Sequence, residues 1–498
     1  MKKLFLICFI SNIFFSLAQE RIQLNTQIKK SIEELKDFVS IPNDALNKND
    51  IQQNIVWLTT KFKARGFNVK VLKTEGLPLF FASLPIQENK PTVLFYMHFD
   101  GQSIEASKWE QKNPYTIVLK EQRKTGWKEL NWDELNKTIN YNWRLFGRST
   151  SDDKGPIVML LNAIDLLKKN NKEIPFNVKV ILDSEEEKSS KPLPKAVAEN
   201  RTLLNADFLI INDGPVHPSK KPTLVFGCRG ITTLTLTTYG PITPQHSGHY
   251  GNYAPNPVFK MAHLLSSMKD KNGKVLIKGY YDGIVIDKTT EKILKSVPDD
   301  ITTLHNALAI NSPETVGHFY QESLQYPSLN VRGISSGWVG EKSRTIVPDK
   351  ATAEIDIRLV PETDGNTLKS LIKKHIKNQG YYITSKEPTL EERKNYANII
   401  TIKEGSVTKP FRTDLDNPYG IWIDNILSST FNTDVVKIRI MGGTVPISPF
   451  INELKIPAFI VPLVNPDNNQ HSPNENLEIG QIAYGIQTFY TILSTPIN

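Results

Sequence analysis

The chain of 498 residues predicts an α/β fold: a mixed, largely parallel sheet layered with helices and interrupted by a smaller α+β domain. Three observations lead there. Short β-rich runs alternate with helical apolar spacing in the first 220 residues. The pattern then switches to strictly alternating strands with two amphipathic helices. It returns to the first style near residue 409. One α/β domain split by a contiguous second domain accounts for that order.

The first style begins with Ile28, Ile32, Leu35 and Phe38 at helical spacing, closed by Pro42, and a second helix over Ile51, Ile55, Leu58 and Phe62 that stops at Gly66. Strands are predicted at Phe67–Val71, Val93–Met97, Val178–Leu182 and Phe208–Ile211, with a helix over Ile157–Leu167. The stretch Ala106–Trp143 is rich in Lys, Trp, Asn and Glu with little periodicity and reads as a surface insertion. In the second style, Thr232–Thr238 alternates as a strand, and Ala353, Ile355, Ile357 and Leu359 alternate with Glu354, Asp356 and Arg358. Helices follow Val258, Met261 and Leu264, and then Leu368, Leu371, Ile372 and Ile376. This suits a sheet covered on one face. The tail adds a helix over Ile421–Phe431, strands Val435–Ile438 and Ala458–Leu463, and a final helix from about Ile482.

Residues 1–18 combine Lys2 and Lys3, an apolar run and small residues before Gln19, the pattern of a secretory signal, so the mature protein is expected to be exported, periplasmic or secreted. The remaining segments are 19–221 and 409–498 for the larger domain and 222–408 for the inserted one. No later stretch reaches membrane-spanning length, so no membrane partner is expected after signal removal. With Cys8 in the signal, Cys228 stands alone and no internal disulfide is expected. Net charge is +8, or +6 without Lys2 and Lys3, and it is spread along the chain without a basic-aromatic patch; nucleic acid is not an expected partner.

Ligands of open α/β sheets collect at the carboxyl ends of strands. Three predicted strands end in His98-Phe99-Asp100, in Asp183-Ser184-Glu185-Glu186-Glu187 and in Asn212-Asp213-Gly214. Two further polar segments join them: Gly147–Pro156, with Asp152-Asp153 ahead of a helix, and His471-Ser472-Pro473-Asn474-Glu475. Each alone reads equally as a turn or a solvated helix start. Together they offer hard oxygen donors and two imidazoles without thiolates, a set suited to zinc, manganese or cobalt.

The words Tyr96–Asp100, Gly147–Pro156, Glu186-Glu187, His246-Ser247-Gly248, Ile357–Pro361, Gly442–Pro446 and His471-Ser472 occur in an order that resembles the M20 family of di-metal peptidases, in particular its carnosinase-like dipeptidase branch. The resemblance implies a zinc-peptidase type catalytic domain carrying a lid and dimerisation domain, and two divalent ions per subunit, zinc first, with manganese or cobalt as alternatives. His98 and Asp213 would bind one ion, Glu187 and His471 the other, and Asp152 would bridge them. Asp100 would steady the His98 ring, Glu186 would be the general base, and His246 would serve the scissile carbonyl oxygen, often in the partner subunit. Arg358 would grip the substrate's free carboxylate, with Thr345 and Gly443 lining the pocket. Ser149 and Ser189 stand where the family has glycine, and Ile440 where the branch tends to carry a charge.

The expected activity is hydrolysis of dipeptides, or of the C-terminal bond of short peptides, by a homodimer joined through the inserted domain. An N-acyl amino acid deacylase on the same scaffold, and a non-catalytic binding protein of this fold, are the alternatives.

Overall fold

A computed structural model describes residues 23–445 and 447–497. The signal-like residues 1–18 lie outside them. By internal contacts the chain forms two compact units: one of residues up to Phe226 with Thr413–Lys437 and from Pro449 onward, and one of Gly227–Arg412 with Ile438–Ser448. The expected edges at 222 and 408 fall a few residues early. Ile438–Ser448 groups with the second unit, because its backbone ladders onto Gly227–Arg229: Met441 N donates to the Gly227 carbonyl at 2.9 Å, and Arg229 N to the Met441 and Gly443 carbonyls at 3.2 Å.

The first unit is built on an eight-stranded mixed sheet. Its order is Asn68–Leu72, Leu79–Ser83, Asn177–Asp183, Thr92–His98, Phe208–Ile211, Ala458–Ile460, Thr223–Val225, Val436–Ile438. The central four strands are parallel, so their carboxyl ends share one edge. Helices 23–39, Lys48–Ala64, Lys154–Lys169, Pro418–Phe431 and Ile479–Ser494 contribute to its core, in which Phe95, Met97, Ile157, Leu160, Val180, Phe208, Phe459, Ile486 and Phe489 are buried together. Strand Leu79–Ser83 had no signature in the sequence, because all five of its residues are buried and none alternates.

The stretch Ala106–Trp143 departs from expectation. It is no irregular insertion: strands Val118–Arg123 and Gly126–Glu129 form a hairpin that joins Arg144–Phe146 and Asn476–Glu478 in a four-stranded sheet. Gly126 takes φ +111° where the hairpin turns. Trp109, Tyr115, Ile117, Leu119, Leu135 and Trp143 are buried.

The second unit has a five-stranded sheet in the order Asn330–Ser335, Lys350–Leu359, Gly230–Tyr239, Ile399–Thr408, Tyr382–Thr384. Leu234, Leu236, Ala353, Ile355 and Ile357 pack on one face against Met261 and Leu264 of helix Pro257–Met268 and Leu368, Ile372 and Ile376 of helix Gly365–Asn378. The alternation read from the sequence is this burial. Among the described residues no helix is long and apolar enough to cross a membrane.

Candidate metal centre

The parallel strands bring their terminal residues to one edge of the first unit's sheet. His98 ends strand Thr92–His98, Asp183 ends Asn177–Asp183 ahead of Glu186 and Glu187, and Asp213 follows Phe208–Ile211. Asp152 arrives from the turn before helix Lys154–Lys169 and His471 from the loop after Ala458–Ile460. Five of the predicted residues thereby form two groups that share one member: His98, Asp152 and Asp213, and Asp152, Glu187 and His471, with ligand atoms within 4.8 Å of one another in each. His98 Nε2 lies 2.9 Å from Asp152 Oδ1, and His471 Nε2 lies 3.1 Å from Asp152 Oδ2 and 3.2 Å from Glu187 Oε2. One carboxylate thus faces an imidazole with each oxygen.

The electrostatics are those of a crowded cluster of largely buried acids. Burial and the neighbouring carboxylates push Asp213 up to about 6 and Glu187 up to about 7, although the nearby histidines oppose the shift. Burial, with Asp213, Glu187 and Asp100 adding to it, raises Glu186 well above the usual range. Burial also opposes ionisation of Asp152, but the two histidines outweigh it and hold its carboxyl low. Asp152, with Glu187, raises His471 to about 9. Such a cluster is costly without positive charge at its centre. A pair of divalent cations fits it: the donors are oxygens and imidazole nitrogens, and buried Asp152 Oδ2 has no hydrogen bond of good geometry. Cys228, the sole cysteine among the described residues, lies in the second unit.

The supporting residues surround the ligands as follows. Asp100 Oδ1 lies 3.3 Å from His98 Nδ1, and its two oxygens also accept the backbone N–H groups of Glu186 and Glu187, each at 3.1 Å. It therefore sets the turn that presents both glutamates. Asp153 does not cap the helix it precedes; its Oδ2 accepts from His98 N at 3.3 Å. Ser149 and Ser189, in the places of glycine, adopt φ +62° and +72°. Ser149 sits there with Asn43 Nδ2 donating to its Oγ at 3.0 Å.

Glu475 was quoted in the sequence only as the end of the His471–Glu475 segment, with no role of its own. It is fully buried, and its two oxygens accept from Arg148 Nη1 (2.7 Å), Ser149 N (2.9 Å), Ser151 N (3.0 Å), Ser151 Oγ (2.9 Å) and Asp152 N (3.1 Å). It folds the turn that aims Asp152. Gln102 was missed; its Nε2 donates to Glu187 Oε2 at 2.7 Å. Neither carries a local sequence signal, since each acts on a residue far away in the chain.

The remaining predicted residues lie in the second unit. His246 is exposed in a two-stranded ribbon with Ile346–Val347; its Nδ1 accepts from Gly248 N at 3.0 Å, and Ser247 N donates to the Thr345 carbonyl. Arg358, half-buried on the polar face of its strand, donates from Nη1 to Thr444 Oγ1 at 2.7 Å, beside Gly443. Ile440, which stands where the branch tends to carry a charge, is fully buried.

A cluster of carboxylates and imidazoles at the carboxyl edge of a parallel sheet is the centre a metal-dependent hydrolase needs. The chain belongs to peptidase family M20/M25/M40, whose profile matches residues 94–495, and is an M20-type metallopeptidase. It is 24% identical to the Cys-Gly metallodipeptidase dug1 of Schizosaccharomyces pombe over 97% of this chain and 94% of that one. It is 23% identical to the Beta-Ala-His dipeptidase of Mus musculus, over 92% and 91% respectively. Among solved structures it is similar to an M20 family metallo-carboxypeptidase from Sulfolobus solfataricus, with a TM-score of 0.76 and 26% identity over 93% of this chain and 98% of that one.

Proposed function

We propose that the protein hydrolyses the amide bond of dipeptides, or the C-terminal bond of short peptides, using two divalent ions, zinc first. The observation that carries this reading is the pair of donor groups sharing Asp152, with Glu186 alongside. His98 and Asp213 would hold one ion, Glu187 and His471 the other, and Asp152 would be shared between them. When bound, the ions supply Lewis-acid polarisation and a nucleophile at neutral pH. Glu186, whose carboxylate makes no hydrogen bond among the described residues, takes the proton of the attacking water and passes it to the leaving amine. Its raised proton affinity suits both steps.

To Arg358 we assign the free carboxylate of the substrate: a guanidinium fork grips both oxygens, and Thr444 holds its orientation. His246 donates to the carbonyl oxygen as charge develops, with Thr345 and Gly443 beside these two residues. A homodimer through the second unit is supported by its edge strand Asn330–Ser335, which is paired on one side and largely exposed. Export rests on the pattern of residues 1–18 and predicts a mature protein beginning at Gln19, checked by intact mass.

The test of the mechanism is Glu186→Gln. Turnover is lost by at least about a thousandfold while metal content stays at two ions. Near-normal turnover would remove Glu186 as the base. A panel of dipeptides against N-acyl amino acids separates peptidase from deacylase.

A further inference from the structure

One fully buried carboxylate closes the loop that carries Glu186 and Glu187. It belongs to Asp183, the last residue of strand Asn177–Asp183. Its Oδ1 accepts from Glu185 N at 3.1 Å, at the start of the loop. Its Oδ2 accepts from Ser190 Oγ at 2.5 Å, at the end of the loop, and from Tyr96 Oη at 3.2 Å. Tyr96 is fully buried as well and stands two residues before His98 on the neighbouring parallel strand. One side chain thus ties both ends of residues 184–190 to the strand that ends in His98.

The loop has need of such a clamp. Ser189 and Ser190 take φ +72° and +39°, a region that residues with a side chain adopt only at a cost. Glu186 makes no hydrogen bond through its own carboxylate among the described residues, so its place follows from the backbone beneath it. Asp100 fixes the middle of that backbone through Glu186 N and Glu187 N, and Asp183 fixes its two ends. Placement matters here, because a shift of about 1 Å at a reacting group costs on the order of a hundredfold in rate.

We propose that Asp183 is a positioning residue for Glu186, an inference that rests on the reading of Glu186 as general base. Through Ser190 and Tyr96 it holds the loop in the conformation that presents the base.

The test compares Asp183→Ala with Asp183→Asn in the full-length, zinc-loaded protein, by steady-state kinetics on a dipeptide and by hydrogen exchange of residues 184–190. Alanine removes all three bonds. The kcat per metal-loaded molecule is expected to fall at least about tenfold with KM within about threefold, and the loop amides to exchange at least about tenfold faster. Asparagine brings both measures back to within about threefold of the parent, because its Oδ1 accepts from Glu185 N and its NH₂ donates to the two hydroxyl oxygens. Should Asp183→Ala not fold, Ser190→Ala removes only the hydroxyl at the loop's end and is expected to lower kcat at least about threefold, with faster exchange. Faster exchange beside an unchanged kcat makes the clamp merely structural and overturns the proposal, as does an asparagine variant as impaired as the alanine one. Exchange needs no turnover, so the two readings fail separately. A parent without dipeptide turnover counts against the hydrolase, and parental exchange in Asp183→Ala counts against the clamp.

Discussion

Replacing Glu475 by glutamine tests how the Asp152 turn is held. The carboxylate accepts five hydrogen bonds on two oxygens, and one comes from Arg148, itself buried. An amide offers one oxygen and one NH₂. If the NH₂ replaces Oε2, the Arg148 and Ser149 N bonds are lost; if it replaces Oε1, the Ser151 N and Asp152 N bonds are lost and the Ser151 hydroxyl turns to accept. Either way a buried guanidinium loses its counter-charge, which costs about 3–5 kcal/mol. At roughly 2–4 °C per kcal/mol for a unit of this size, the melting transition falls by on the order of 10 °C. The turn carries the carboxylate shared by both donor groups, so metal affinity falls too, by about 10–100-fold, as when a group behind a ligand is removed. Thermal scans and competitive chelator titration measure the two effects. A variant within about 2 °C and about threefold of the parent on both measures would refute the assignment of Glu475 as the residue that shapes this turn.

Other outcomes follow from the same geometry. Chelation abolishes activity and leaves a protein whose stability falls as pH rises from about 5 to 9. Asp213 (about 6), Glu187 (about 7) and His471 (about 9) all bind protons more tightly folded than unfolded, so their stabilisation is present at low pH and lost through those values. A melting temperature of the metal-free protein that holds or rises over that range contradicts it. Gly101→Ala places a Cβ 2.3 Å from Ser149 Oγ and costs about 1–3 kcal/mol by denaturant unfolding. Adding Ser149→Gly removes the clash and the left-handed serine and restores much of the loss. Arg358→Lys keeps the charge without the fork, so KM for a dipeptide rises about tenfold or more while kcat changes little, read from steady-state kinetics.

Much was legible in the chain because periodicity and strand ends are local. The Ile357–Arg358 alternation, the helix after Asp152 (Lys154–Lys169 against the expected Ile157–Leu167) and the carboxylates and histidine that follow apolar runs are all written in adjacent residues. Strand Leu79–Ser83 was not legible, since full burial erases alternation. Nor was the sheet within Ala106–Trp143, whose strands pair with Arg144–Phe146 and, through it, with Asn476–Glu478 more than 300 positions away.

By itself the sequence determined the two styles of fold, the residue types able to hold metal, and the family they resemble. The resemblance already implied a role for most of the carboxylates; only the tertiary structure shows which donors surround each one. Asp152 is shared because imidazoles from two distant segments meet its two oxygens. Asp100 serves the glutamate turn as well as facing the histidine ring, Asp153 accepts from a strand and does not cap a helix, and Glu475 holds the Asp152 turn from the far end of the chain. The physical reason is the same in each case. A carboxylate's role depends on which donors surround it, and buried donors are supplied by segments that only folding brings together.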